Sequence, residues 1–134
     1  MTDRARQVLV LDPDPEFADR LKAALSSSGV HVDVVDGIDD AVDRIRDEDI
    51  DCLVMDEWLP EMRGSDAIPV IRAIDADVPV IITAARNSVE LEARIRGAGV
   101  FFYHCKAFGM RDLVLAVGDA VRGGAGRRKE TRHG

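Results

Sequence analysis

Five short apolar runs punctuate the chain: VLVL at 8–11, VHVDVV at 30–35, CLVM at 52–55, VPVII at 78–82 and VFFYHC at 100–105. Runs this short and this rich in Val and Ile, set between amphipathic stretches, read as parallel strands covered on both faces. In the second run His31 and Asp33 alternate with valines, the pattern of a strand near a sheet edge. Between the runs the apolar spacing changes from two to three and four. Phe17, Leu21 and Leu25 form one stripe; Ile38, Ala41, Val42 and Ile45 form a second; Ile68, Ile71 and Ile74 a third. Leu91 with Ile95, and then Leu113, Val117 and Val121, complete five predicted helices, each with one face to lay on a sheet. Gly29 and Gly97 are placed to close the first and fourth helices as left-handed caps. Pro69, early in the third, predicts an irregular start or a bend there. The alternation as a whole predicts an α/β fold, an open parallel sheet with helices on both sides.

With 134 residues and 46% hydrophobic content, the chain can build one core and is too short for two ordinary domains. The text after Arg122, GGAGRRKETRHG, holds no apolar residue larger than alanine. It divides the chain into a folded body, 1–121, and a basic tail, 122–134, expected to be disordered or the start of a truncated linker. The formal charge is -7. The tail contributes +4, which leaves -11 on residues 1–121. An acidic body argues against nucleic acid as the main partner, because duplex binding needs basic groups to neutralise phosphates. Cys52 and Cys105 lie far apart inside apolar runs, with neither disulfide nor zinc spacing, which fits a reducing cytosol. No segment is long and apolar enough for a membrane span or a secretion signal, so a cytoplasmic protein is expected.

In open α/β sheets ligands bind beyond the carboxyl ends of the strands. The first run ends at Asp12, Pro13 and Asp14, the third at Asp56 and Glu57, the fourth at Thr83 and Ala84, and the fifth leads into Lys106. Carboxylate, hydroxyl and ammonium at neighbouring strand ends make a site in which an aspartate could receive a phosphoryl group. A divalent cation would neutralise its oxygens, Thr83 would donate a hydrogen bond and Lys106 would form an ion pair.

The sequence at these places resembles the receiver domains of two-component response regulators. The resemblance is carried by VLVLDPDPEF, LVMDEWLPEMRG, VIITAAR and AGVFFYHCK, in that order, and covers nearly all of residues 6–121. It implies a flavodoxin-like, doubly wound (βα)5 fold with strand order 2-1-3-4-5, no enzymatic activity of its own, and Mg2+ as cofactor. It also implies phosphoryl transfer from a histidine kinase or phosphotransfer protein. On this resemblance Asp56 is the phosphoacceptor, Asp12 an acidic-pocket residue, Thr83 the switch hydroxyl, Lys106 the phosphate-pairing lysine and Tyr103 the switch aromatic. The Trp58 backbone carbonyl would be a metal ligand, and Pro60 and Gly64 match the loop after the acceptor. Output to a downstream protein would run through the face of the fourth helix, fifth strand and fifth helix, with dimerisation as one form of it.

Two positions depart from the family. Pro13 stands where a second acidic residue usually ligates magnesium, which implies a weakened metal site, with Asp14 or water as a substitute. Ala107 stands where proline usually follows the lysine, so the loop carrying Lys106 is expected to be set differently. Plainer readings accompany the functional ones. Asp14 serves as the N-cap of the first helix, ahead of Pro15. Tyr103 either packs or switches, Glu57 is a solvated acid or a further oxygen near the pocket, and His104 is a buried, hydrogen-bonded histidine. Cys105 is an inert small hydrophobe. Phe101 and Phe102 pack in the core or form an exposed patch for a partner. Pro13 and Ala107 also motivate an alternative, a degenerate receiver that binds partners without phosphorylation. A third reading is a haloacid-dehalogenase-like phosphatase with Asp12 as nucleophile. It is weakened by Glu16, where that motif has threonine or valine.

Overall fold

The computed structural model describes residues 5–123. The elements run β1 (Arg6–Leu11), α1 (Pro15–Leu25), β2 (Val30–Val35), α2 (Ile38–Asp47), β3 (Cys52–Asp56), α3 (Gly64–Ile74), β4 (Val80–Ala84), α4 (Val89–Gly97), β5 (Phe102–Cys105) and α5 (Arg111–Gly123). Short 3-10 turns follow α1 (Ser26–Ser28) and β5 (Lys106–Phe108). All five strands pair in parallel in the order β2-β1-β3-β4-β5. This is the expected doubly wound sheet, with the polar second strand at one edge.

The period of two along each strand builds two separate cores. Leu9, Leu11, Leu53, Met55, Val80, Ile82 and Tyr103 face α2, α3 and α4. Val8, Val10, Cys52, Val54 and Ile81 face α1 and α5. Every residue of β3 and β4 is buried, so these central strands read as unbroken apolar runs rather than alternating ones. The chain leaves β1 for β2 on one side and returns to β3 on the other. The crossovers therefore diverge beside β1, and a crevice opens at the carboxyl ends of β1 and β3.

Three details differ from the sequence reading. Gly29 has the left-handed conformation expected of it, with φ 75°, but Gly97 is the last residue of α4 and the positive φ falls at Gly99, 84°. Ala98 still donates to Ile95 O at 3.0 Å, so the helical turn persists and reverses two residues later. Pro69 does not sit at an irregular helix start. The helix already begins at Gly64 and runs to Ile74, with Pro69 inside it on the exposed side. Finally, α5 continues to Gly123, two residues past the expected boundary, and the rest of the tail expectation falls on residues outside those described. Among the described residues no helix is long and apolar enough to cross a membrane.

Gly64 is required by space. A Cβ there would meet the Asp56 carbonyl oxygen at 2.5 Å and Glu57 Cα at 3.2 Å, while its N–H donates to Glu57 O at 2.8 Å. Both contacts are to backbone, which has little freedom to retreat. Gly64→Ala is expected to lower stability by about 2–3 kcal/mol, read from urea unfolding, with the loop after β3 losing its amide protection first.

Candidate functional site

The acidic rim begins where β1 ends. Asp12 is 3% exposed, its N–H donates to Val35 O at 3.2 Å, and its Oδ1 accepts from the Asp14 N–H at 2.9 Å. That local bond turns the chain into α1, where Asp14 Oδ1 accepts from the Glu16 N–H at 3.1 Å and Pro15 occupies the first helical position. The Asp14 carboxylate is thus engaged as the helix cap and stays exposed, and Pro13 beside it is exposed as well. The plainer reading of Asp14 matches its place in the fold.

Asp56 is the last residue of β3, opposite Thr83 of β4, which in turn is opposite His104 of β5. Residues paired in register point to the same face, so Asp56, Thr83 and His104 form one row on the α1/α5 side of the sheet. Lys106, two residues past His104, extends its ammonium back across this row. Its Nζ lies 2.9 Å from Asp12 Oδ2 and 3.6 Å from Asp56 Oδ1, and sits 4.2 Å from the Phe17 ring centroid. Phe17, recognised in the sequence only as a core residue, forms an aromatic floor under the ammonium and holds it by a cation–π contact. The acid at 12, the acid at 56, the alcohol at 83 and the amine at 106 therefore meet at one rim.

The electrostatics follow from burial. Asp56 is 7% exposed, and desolvation pushes its carboxyl up to about 6; the Lys106 ammonium pulls it down, and the neighbouring Asp12 carboxylate adds to the rise. Asp12 Oδ2, Asp56 Oδ1 and Thr83 Oγ1 are buried without a hydrogen bond of good geometry. Asp12 Oδ2 and Asp56 Oδ1 face the Lys106 ammonium, whereas the Thr83 hydroxyl has no acceptor, so the pocket suits a group that accepts from a hydroxyl and pairs with an ammonium. For a hard cation the pocket has two carboxylates, and the resemblance adds the Trp58 carbonyl. Among the described residues no three His, Cys, Asp or Glu side chains converge as a metal-holding group. Magnesium is commonly held by one or two carboxylates plus water and phosphate, and Asp12 and Asp56 are of that donor type.

Glu57 is not the solvated acid of the sequence reading. It is fully buried and turns away from the pocket, because successive strand residues point to opposite faces. Its carboxylate accepts from Ser65 N at 2.8 Å, Ser65 Oγ at 2.9 Å and Arg63 Nε at 2.9 Å. Arg94 of α4 joins through Ser65 Oγ at 3.0 Å and Asp66 Oδ1 at 2.5 Å. The loop after Asp56 is thereby fastened to the start of α3 and to α4. Arg63 also covers the exposed Trp58 ring, 4.6 Å from its centroid. Neither arginine could be picked from the sequence. The only hint was a second acid, next to Asp56 at the end of an apolar run, which has to find a cation once buried.

Tyr103 is buried, and its hydroxyl donates to Asn87 Oδ1 at 2.9 Å, tying β5 to the loop between β4 and α4. Asn87 was not anticipated. His104 is buried and hydrogen-bonded as expected, its Nε2 lying 2.7 Å from Gly109 O. Phe101 is 49% exposed while Phe102 is half-buried and stacks with the His104 ring, so the pair divides between surface and core. Both cysteines are buried thiols, and burial pushes Cys52 up to about 12, which makes it inert as a nucleophile.

Comparison with known proteins places this geometry. The family described as "Response regulator receiver domain" matches residues 8–118. "Response regulator MprA" of Mycobacterium tuberculosis (strain ATCC 25618 / H37Rv) is 30% identical over 117 residues, covering 87% of this chain and 50% of that protein. The chain thus spans about half the length of the curated relatives it matches. The Francisella response regulator 1452 receiver domain superposes with a TM-score of 0.80 at 26% identity, covering 87% of this chain and 97% of that one. A response regulator protein from Burkholderia pseudomallei, solved with a phosphorylated aspartic acid, calcium ion and citrate, gives 0.74 at 20% identity over 84% of this chain and 66% of that one. Sheet order, family match and the rim of acid, alcohol and amine agree: the chain belongs to the receiver domains of two-component response regulators.

Proposed function

We propose that Asp56 accepts a phosphoryl group from a phosphohistidine on a cytoplasmic histidine kinase or phosphotransfer protein. One observation carries the reading: Asp12, Asp56 and Lys106 meet within ion-pair distance beside the unpartnered Thr83 hydroxyl. In the transfer a carboxylate oxygen of Asp56 attacks phosphorus, the P–N bond breaks, and the imidazole of the donor leaves with the bonding pair. Lys106 stands ready to shift from the carboxylates to the incoming phosphoryl oxygens, a charge-assisted contact in a site largely closed to water. The Thr83 Oγ1 hydroxyl gains the acceptor it lacks. A divalent cation held by Asp12, Asp56 and the Trp58 carbonyl supplies further neutralisation of phosphoryl charge when bound, and the proline at 13 leaves that site weakened.

Output follows by population shift. A phosphoryl group can favour one pre-existing arrangement only through contacts it makes in that arrangement alone. Drawing Thr83 toward phosphate opens space beside β4, and the Tyr103–Asn87 bond couples this change to β5 and to the start of α4. The face of α4, β5 and α5, where Phe101 is exposed, would then change its affinity for a downstream protein or a second copy. The acidic body makes nucleic acid a poor partner for this domain.

The test is incubation with acetyl phosphate and magnesium followed by intact-mass measurement. One added phosphoryl group, labile to hydroxylamine, is the expected product. Absence of any adduct, together with backbone amides of Asp56, Thr83 and Lys106 that do not respond to beryllofluoride, would reject it. Pro13 favours a second reading, a receiver that binds its partner without phosphorylation. That reading requires undetectable magnesium binding at millimolar concentration and a silent Asp56→Asn substitution in signalling.

A further inference from the structure

The imidazole of His104 is unexplained by phosphoryl acceptance. It sits in β5 directly opposite Thr83, in the same row as Asp56, and is 2% exposed. Its Nε2 lies 2.7 Å from the carbonyl oxygen of Gly109, which can only accept, so Nε2 carries the proton and donates. Phe102, two residues earlier on the same face, stacks on the ring at 6.3 Å between centroids and fixes its plane. Between donor and acceptor lies the segment that matters: the single 3-10 turn Lys106–Phe108, with Lys106 at its start.

The turn itself is loosely closed. Its closing backbone bond, Gly109 N–H to Lys106 O, is long at 3.3 Å. Gly109 leaves the turn at φ 81°, a conformation that glycine adopts without steric resistance and therefore does not enforce. Ala107 and Phe108 are exposed, and Ala107 lacks the fixed φ that proline would supply at that position. The Lys106 ammonium must nevertheless be held at 2.9 Å from Asp12 and 3.6 Å from Asp56 by a side chain with four rotatable bonds.

We infer that His104 is a positioning residue for Lys106: its buried hydrogen bond to Gly109 O latches the Lys106–Gly109 turn and takes over the stiffening that proline after the lysine would provide. The inference rests on Lys106 serving the phosphoryl site proposed above, but the latch itself is a property of the turn and can be measured without phosphorylation. It acts through the backbone, since His104 touches neither reacting oxygen.

The test compares His104→Leu, which fills similar space without a donor, with His104→Gln, which retains an N–H of comparable reach. In His104→Leu, hydrogen exchange at Lys106–Gly109 is expected to quicken about tenfold beyond any change in global stability. Phosphoryl incorporation from acetyl phosphate is expected to slow about tenfold because the ammonium is no longer fixed. His104→Gln should stay within about twofold of the native protein on both counts. Adding Ala107→Pro to His104→Leu should restore incorporation, which a purely structural defect in the core would not allow. If His104→Leu does not fold, His104→Asn, whose shorter amide falls short of the carbonyl, replaces it. The latch is overturned if turn exchange is unchanged, or if exchange rises equally throughout the domain. A native protein that takes up no phosphoryl group would defeat the acceptor proposal alone, and the exchange comparison would still decide the latch.

Discussion

Asp56→Asn is expected to abolish phosphoryl uptake and, at the same time, to make the protein more stable. The first effect is complete, because an amide has no carboxylate oxygen to attack phosphorus. The second follows from burial. The folded-state pKa of Asp56, about 6, lies above its ordinary 3.8, so the native state holds a proton that the unfolded chain has already released across that interval. Stability therefore falls as pH rises from about 4 through about 6, and above that the full cost of an ionised, desolvated carboxylate is present. The shift corresponds to about 3 kcal/mol at full burial; with the rim partly open to solvent, about 1–2 kcal/mol is the expected gain at pH 7.5. Urea unfolding of both proteins in EDTA between pH 4 and 8 measures it. Relative to the variant, the native protein should lose stability across the window. Equal pH profiles would mean that Asp56 is hydrated enough to ionise freely. Lys106 tempers the gain, since an asparagine returns less to the ammonium than a carboxylate does.

Pro13→Asp is expected to tighten magnesium binding about tenfold or more, the second large effect, because it adds a carboxylate beside Asp12 and Asp56, which already meet at the rim. Position 13 is exposed, directly follows Asp12, and lies between that residue and the helix-capping Asp14, so a side chain there can reach the rim without disturbing the core. The cost is a third negative charge near Asp12 and Asp56. Metal-free Pro13→Asp should accordingly be less stable than the native protein, and saturating magnesium should reverse the difference. Magnesium titration followed by Trp58 fluorescence or amide shifts reads both affinities. Trp58 is suited to this because it is exposed and lies two residues from Asp56. If the native protein already binds at micromolar concentration, with no gain in the variant, then proline at 13 does not weaken the site.

Parts of this protein are legible in its sequence to different degrees. The five strands and five helices were readable because burial on one or two faces forces a period of two or of about 3.6 onto the sequence. Asp12, Asp56, Thr83 and Lys106 were readable because each stands at the end of an apolar run, where a parallel sheet collects its ligands. Asp14 as a cap and His104 as a buried hydrogen-bonded histidine were local judgements, and local geometry bears them out.

What escaped the sequence was contact between residues distant along the chain. Glu57 read as a solvated acid because an isolated glutamate usually is one; only the fold brings Arg63, Ser65 and, through them, Arg94 to it. Asn87 as the partner of Tyr103 lies in a loop without periodicity, and Phe17 under Lys106 looked like any helix core residue. The glycine that turns the chain after α4 proved to be Gly99 rather than Gly97, since where a helix stops depends on a few marginal hydrogen bonds.

The sequence by itself determined the alternation of strand and helix and the identity of the residues at each strand end, because burial and backbone conformation act over a few neighbours at a time. Only the tertiary structure decided which of those ends share a rim, which acid turns inward and which outward, and which cation answers each buried charge. Those outcomes depend on strand order and register, and register sets every side chain's face at once.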